Sequence, residues 1–266
     1  MTEEATTPSP PAAGASEQFD ILRSGALRDV PHGFFGSAGG RHQFGFHGPG
    51  DQDLIRTLRQ KAAEAICPGA VIVGLQQIHS AETVTLIEAW RDDPDTLPRA
   101  DGLATVRRGI ALSVITADCA PILFADKDAG VIGAAHAGWR GAVGGVIENT
   151  IAAMEALGAK RESIAAAIGP TIAQPSYEVD ASFRENFTAE DDTHFQTAPT
   201  RDGKLRWHFD LPGYTAARLS RCAIGKIDVT GQDTLAQPAR YHSYRRATQE
   251  GAENFGRQIS IIAQKP

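Results

Sequence analysis

The chain has 266 residues, 42% of them apolar, which is enough to bury a sizeable core as one large domain or two small ones. Its 26 Lys+Arg against 32 Asp+Glu leave a net charge of −6, which offers no general support for binding nucleic acid or an acidic membrane surface. No apolar run is long enough to span a bilayer, the first residues are not a secretory signal, and Cys67, Cys119 and Cys222 make no disulfide framework; a cytoplasmic protein is expected.

Residues 1–18 are rich in Pro, Ala, Thr, Ser and Glu with almost no large apolar side chain, so a disordered tail is expected there. Without a repeat or a second linker, residues 19–266 read as a single domain. Pro31–Gly40 is a tight glycine-rich loop after a short strand. Asp51 caps a predicted helix through Ile66 whose apolar face is Leu54, Ile55, Leu58, Ala62, Ala65 and Ile66, with Pro68-Gly69 ending it. Ala70–Leu75 and Thr83–Glu88 read as strands flanking a turn that carries Gln77-Ile-His79-Ser80.

Asp101–Thr105 and Ile110–Thr116 lead into two β-prone runs, Pro121–Ala125 and Val131–Ala135. The turn-like Asp126–Gly130 between them makes a buried hairpin. After Gly141, Val143, Val146, Ile147, Ile151, Met154 and Leu157 fall at helical spacing, with Gly158 at the end, and Met154 belongs to the core stripe. Ser163–Ile168 is a strand, Tyr177–Asp180 leads into a helix through Phe187, and Ala189–Lys204 reads as a polar loop. A helix over Pro212–Ala223 and strands at Lys226–Thr230 and Ile259–Ala263 complete the chain. Helices and strands alternate only loosely, which argues for mixed sheets.

The hairpin reverses direction, so Cys119 before its first strand and His136 after its second emerge at one end. Alone, a buried cysteine is a small hydrophobe and a buried histidine is a hydrogen-bonding core residue. His79, after another apolar run, supplies a third candidate donor. Two imidazoles and a thiolate suit Zn²⁺ or copper, and three protein ligands leave the open position that marks a catalytic zinc. Asp118 either orients a ligand or simply ends a strand. Arg140, among glycines 138, 141, 144 and 145 at a helix entrance, suits a phosphate; the plainer reading is a surface arginine beside a glycine turn.

Several blocks occur in a fixed order: Gln77-Ile-His79, Ala100-Asp-Gly102, Thr116-Ala-Asp-Cys119-Ala-Pro121, Ala135-His-Ala-Gly-Trp-Arg-Gly141, Gly169-Pro170, Tyr177-Glu178-Val179, and Ser243-Tyr-Arg-Arg246 with Gly256-Arg257. From about Pro31 to the C-terminus they resemble the laccase-domain family, first called polyphenol oxidases. Its members are described as zinc-dependent purine nucleoside phosphorylases with adenosine deaminase side activity, and some bacterial ones as peptidoglycan editing factors. The resemblance implies an α+β sandwich of mixed β-sheets covered by helices, similar to the catalytic fold of the cytotoxic necrotising factors. It also implies that His79, Cys119 and His136 hold the metal.

The expected activity is a zinc-dependent phosphorolysis of purine nucleosides, with methylthioadenosine as a further substrate, nucleoside and phosphate as partners, and Arg140 and Asp118 as catalytic groups. Two rival enzyme readings are a cysteine or metal hydrolase of cell-wall peptide precursors, with Cys119 as nucleophile and His136 as base, and a copper-dependent polyphenol oxidase. A metal-stabilised binding module is the non-enzymatic rival. The chain lacks the His-x-Glu with Pro-Cys-x-x-Cys signature of base deaminases. Two departures from the family stand out. Its loop arginine is Ser37 here, with no Ser-Leu-Asn segment between Arg41 and Asp51, so an altered N-terminal wall of the site is expected. Thr171 replaces the cysteine that often follows Gly-Pro.

Overall fold

A computed structural model describes residues 18–266; the expected tail, apart from Gln18, lies outside the described residues. The first half runs β1 (Ile21–Leu22), β2 (His32–Phe35), α1 (Gln52–Ile66), β3 (Val71–Val73), β4 (Thr83–Thr85), β5 (Gly102–Thr105), β6 (Ile110–Thr116), β7 (Ala120–Asp126) and β8 (Val131–Ala137). The second runs α2 (Trp139–Gly144), α3 (Val146–Ala156), β9 (Ala165–Ile168), β10 (Glu178–Val179), α4 (Ala181–Arg184), β11 (Phe195–Arg201), β12 (Lys204–Phe209), α5 (Leu211–Arg221), β13 (Lys226–Val229), α6 (Tyr244–Gln249) and β14 (Gln258–Ala263).

Every residue of β7, β8 and β14 is buried, so these strands need cover on both faces. Two mixed sheets provide it, in the orders β1-β2-β14-β6-β3 and β13-β9-β7-β8-β5-β4. Because side chains alternate along a strand, Leu123 and Ala125 of β7 pack with Phe34, Leu112 and Ile262 between the sheets. Ile122 and Phe124 face the other way, toward Ile147, Ile151 and Met154 of α3 and Leu219 of α5. On the far side, Ala62 and Ala63 of α1 cover Ile259 and Ile261 of β14. The result is a layered α+β sandwich of mixed sheets covered by helices, as expected from the sequence.

Several local readings change. The run after Gly141 is two helices, because Gly145 adopts φ +104 and breaks the ladder between α2 and α3. Met154 is fully buried, as its stripe implied. In α1, Leu54 is 70% exposed while Arg59 is 2% exposed. The Arg59 guanidinium enters the core because Asp92 meets it at 2.6 and 2.8 Å. The strands after Pro68-Gly69 flank the Gln77–Ser80 segment but are shorter than expected, and they join different sheets: β3 pairs with β6 and β4 with β5. The polar stretch Ala189–Lys204 contains β11, which pairs with β12 at the edge of a separate three-stranded sheet ordered β10-β12-β11. The helix expected through Phe187 is only the four residues of α4.

Candidate metal and substrate site

β7 and β8 pair with Pro121 opposite His136 and Ala120 opposite Ala137, so Cys119, just before β7, lies beside His136 at one sheet end. The loop after β3 adds His79. It is anchored by the Gln77 amide, which accepts from the Ile115 N–H at 2.8 Å and donates to the Ile115 carbonyl at 2.7 Å, extending the edge of β6. The donor atoms of His79, Cys119 and His136 all lie within 4.8 Å of one another, and this is the group among the described residues that can hold a metal. Cys119 Sγ is 3.7 Å from His79 Nε2. Tetrahedral zinc with ordinary Zn–S and Zn–N bonds sets such a pair about 3.6 Å apart, so the spacing and the donor types both fit that ion. Gly138 allows the approach: a Cβ there would stand 2.8 Å from His79 Cδ2 and 3.0 Å from Cys119 Sγ.

Asp101 organises the three donors. Its fully buried carboxylate accepts from His136 Nδ1 at 2.8 Å, from the N–H groups of Ile78, His79 and Ser80 at 3.2, 3.0 and 2.6 Å, and from the Ser80 hydroxyl at 2.8 Å. It thereby fixes His136 with Nε2 free for a metal, and it holds His79 in the left-handed region at φ +60. Burial would raise the Asp101 carboxyl, but the hydrogen bond and charge of His136 and the Ser80 donors outweigh it and hold it at about 2. Burial would lower His136, yet Cys119 and Asp101 raise it to about 9. Burial would raise the Cys119 thiol, and the two histidines bring it down to about 6. The metal-free site is therefore a thiolate beside an imidazolium. A metal must displace the His136 proton to bind.

Asp118, at φ +87, lines the smaller of two cavities at the donors, beside Cys119. Its carboxylate accepts from the Thr234 hydroxyl at 2.6 Å, the Ser243 hydroxyl at 2.9 Å and the Arg245 N–H at 2.7 Å. The carboxylate ties the residue before Cys119 to the start of α6. Arg140 is exposed and stacks on Trp139, 4.6 Å from the ring centroid. Ser37 is 1% exposed, its hydroxyl accepts from the Gly40 N–H at 3.2 Å, and it lines neither cavity at the site. From the N-terminal segment Phe46 and His47 line the larger cavity, with Arg257 from near the C-terminus.

Two cavities meet at the donors. The larger, about 370 Å³, has Phe46, Tyr244 and Phe255 on its walls with Arg140 and Arg257. The smaller, about 170 Å³, is lined by Trp139, Arg140, Tyr177 and Arg245 among others. Sequence reasoning assigned no role to Asp101, Gly138, Tyr177 or Phe255. Three of these lie inside the quoted blocks, but nothing in the pattern tells which atom an isolated Asp or Gly serves. Cys67 and Cys222 are buried in the core clusters, outside both cavities.

Residues 32–265 match the family described as multi-copper polyphenol oxidoreductase laccase. A relative from Deinococcus radiodurans named purine nucleoside phosphorylase is 35% identical over 249 residues, 91% of this chain and 92% of its own. A relative of the same name from Corynebacterium glutamicum is 37% identical over 242 residues, 90% of this chain and 91% of its own. Among solved structures, a Neisseria meningitidis protein superposes with a TM-score of 0.79 at 28% identity, covering 94% of this chain and 100% of that one.

Proposed function

The chain belongs to the multi-copper polyphenol oxidoreductase laccase family, and from that premise we propose that it is a zinc-dependent purine nucleoside phosphorylase. The carrying observation is that His79, Cys119 and His136 floor a cavity with aromatic walls, with Arg140 and Arg257 beside them. The names of the two long relatives support the same reading. In the reaction, a phosphate oxygen forms a bond to ribose C1′ as the C1′–N9 bond breaks. The bond pair leaves with the purine, which takes up a proton, giving free base and ribose 1-phosphate. Zinc bound by the three donors supplies Lewis-acid charge stabilisation. Arg140 neutralises phosphate charge, Asp101 keeps His136 in one tautomer, and Asp118 holds the segment that carries Arg245.

A hydrolase reading draws on one observation, the Cys119 thiol at about 6 beside His136 at about 9, which is how a nucleophilic cysteine is activated. A ligated thiolate is not free to attack, so stoichiometric bound metal argues against it. The copper-oxidase reading has less support: Met154, the internal methionine, is buried on the core face of α3 rather than beside the donors as an axial ligand. Inosine incubated with and without phosphate tests the proposal. Phosphate-dependent hypoxanthine and ribose 1-phosphate are expected; base release that ignores phosphate, or no turnover by zinc-loaded protein, would remove it.

A further inference from the structure

The two cavities share His79, Ala117, Cys119, Arg140 and Tyr244, so they open onto the candidate metal centre from different sides. They differ in size and in chemistry. Pockets for small organic molecules run from roughly 300 Å³ upward, a size the larger cavity reaches at about 370 Å³ and the smaller does not at about 170 Å³. The larger offers flat rings: Tyr244 and Phe255 lie 5.1 Å apart by centroid, and Arg257 stacks 4.1 Å from Phe255. Such surfaces hold a planar base through its faces.

The smaller cavity offers donors. Arg245 gives one N–H to the Glu178 carbonyl at 2.9 Å and rests 5.2 Å from the Tyr177 ring, which leaves its other N–H groups available. Among the described residues no ion pair holds the Arg140 or Arg245 guanidinium; Asp118 feels the Arg245 charge but takes its backbone N–H. The Tyr177 hydroxyl has no hydrogen-bond partner among the described residues. Burial, reinforced by the nearby Cys119 charge, pushes that phenol up, so it keeps its proton as a donor. Asp118 is the carboxylate lining this cavity, and its oxygens are taken by Thr234, Ser243 and Arg245. Two guanidinium groups and a neutral phenol around a small volume make a receptor for a compact oxyanion.

We infer that the cavities divide the substrates. The smaller one holds the phosphate, gripped by Arg140, Arg245 and the Tyr177 hydroxyl, and the larger one holds the nucleoside with its base against Tyr244 and Phe255. This rests on the phosphorylase reading for the identity of the two ligands, but the division is measurable without turnover. Asp118 then gains a purpose beyond tying loops. One carboxylate sets the start of the arginine segment relative to the cysteine donor, which fixes the distance between anion and metal.

Isothermal titration of zinc-loaded protein with inorganic phosphate, and separately with inosine, tests the assignment on the parent, Tyr177→Phe, Arg245→Gln and Phe255→Ala. Tyr177→Phe removes one hydrogen bond to a charged ligand and should weaken phosphate about tenfold. Arg245→Gln should weaken it at least as much, with the backbone N–H to Asp118 retained. Both should leave inosine within about twofold, and Phe255→Ala should do the reverse. Phosphate affinity unchanged in Tyr177→Phe and Arg245→Gln, or a parent that binds no phosphate, would overturn the division. A crossed pattern with phosphorolysis intact removes the division and leaves the activity. The expected pattern without phosphorolysis removes the activity and leaves the division.

Discussion

Cys119 and His136 reach the site as part of a ladder: the seven paired positions of β7 and β8 fix their spacing, and side chains packed on both faces of the sheet hold it. His79 reaches the same place on a loop with a left-handed backbone, held by the Asp101 carboxylate and the Gln77 amide. The first pair is a product of the sheet and survives as long as the core does. The third donor depends on a few hydrogen bonds, so it can be lost while the fold remains. Two of the three donors are thus bound to global stability and the third is adjustable on its own.

Asp101→Asn should expose that difference most strongly. An amide cannot accept from every donor that now converges on the carboxylate, and it places an NH₂ among them. Zinc affinity should fall roughly 10–100-fold. Amide exchange should rise at residues 78–80 and stay slow in β7 and β8. Equal loss of protection in both regions would erase the distinction drawn between them.

The distinction also tracks what the sequence discloses. The hairpin is legible because β7 and β8 are buried on both faces and read as unbroken apolar runs. The β11–β12 pair is not legible, because β11 is exposed at five of its seven positions and carries no alternation to read. Periodicity places Leu54 in the core because it cannot see that Asp92, 33 positions from Arg59, lets an arginine take the buried seat. His79, Cys119 and His136 stand out by residue type and by the blocks around them. Asp101 does not, since a carboxylate that accepts from a distant histidine leaves no periodic mark on its neighbours.

The pH response of metal-free protein separates the two regions in a second way. Asp101 is depressed from an unfolded value near 3.8 to about 2, so its stabilisation is full above pH 3.8 and is lost as pH falls toward 2. His136 is raised from 6.5 to about 9, so its share is full below pH 6.5 and is lost as pH rises through 9. The Cys119 thiol, brought down from 9.0 to about 6 by the two histidines, adds stability that is full above pH 9 and lost as pH falls through 6. It offsets the alkaline loss at His136, so the net change falls on the acid side, about 2 kcal/mol from Asp101 between pH 3.8 and 2. Urea midpoints should fall as pH drops from 3.8 toward 2, and Asp101→Asn should flatten that acid limb. An unchanged pH profile in that variant would contradict the pairing.

A smaller effect is expected from Gly138→Ala. The backbone there has φ −67, which alanine accepts, so the change adds only a methyl against the His79 ring and Cys119 Sγ. Zinc affinity should drop a few-fold with the melting temperature nearly constant. A large stability loss would mean that the loop and the hairpin are not separable.

The measurement that bears most directly on the whole account is X-ray absorption at the metal edge of the protein as purified, together with its metal content. About one zinc per chain should be found, with one sulfur near 2.3 Å and two imidazole nitrogens near 2.0–2.1 Å. A shell without sulfur, or phosphorolytically active protein that holds no metal, would contradict the assignment of His79, Cys119 and His136 as its ligands.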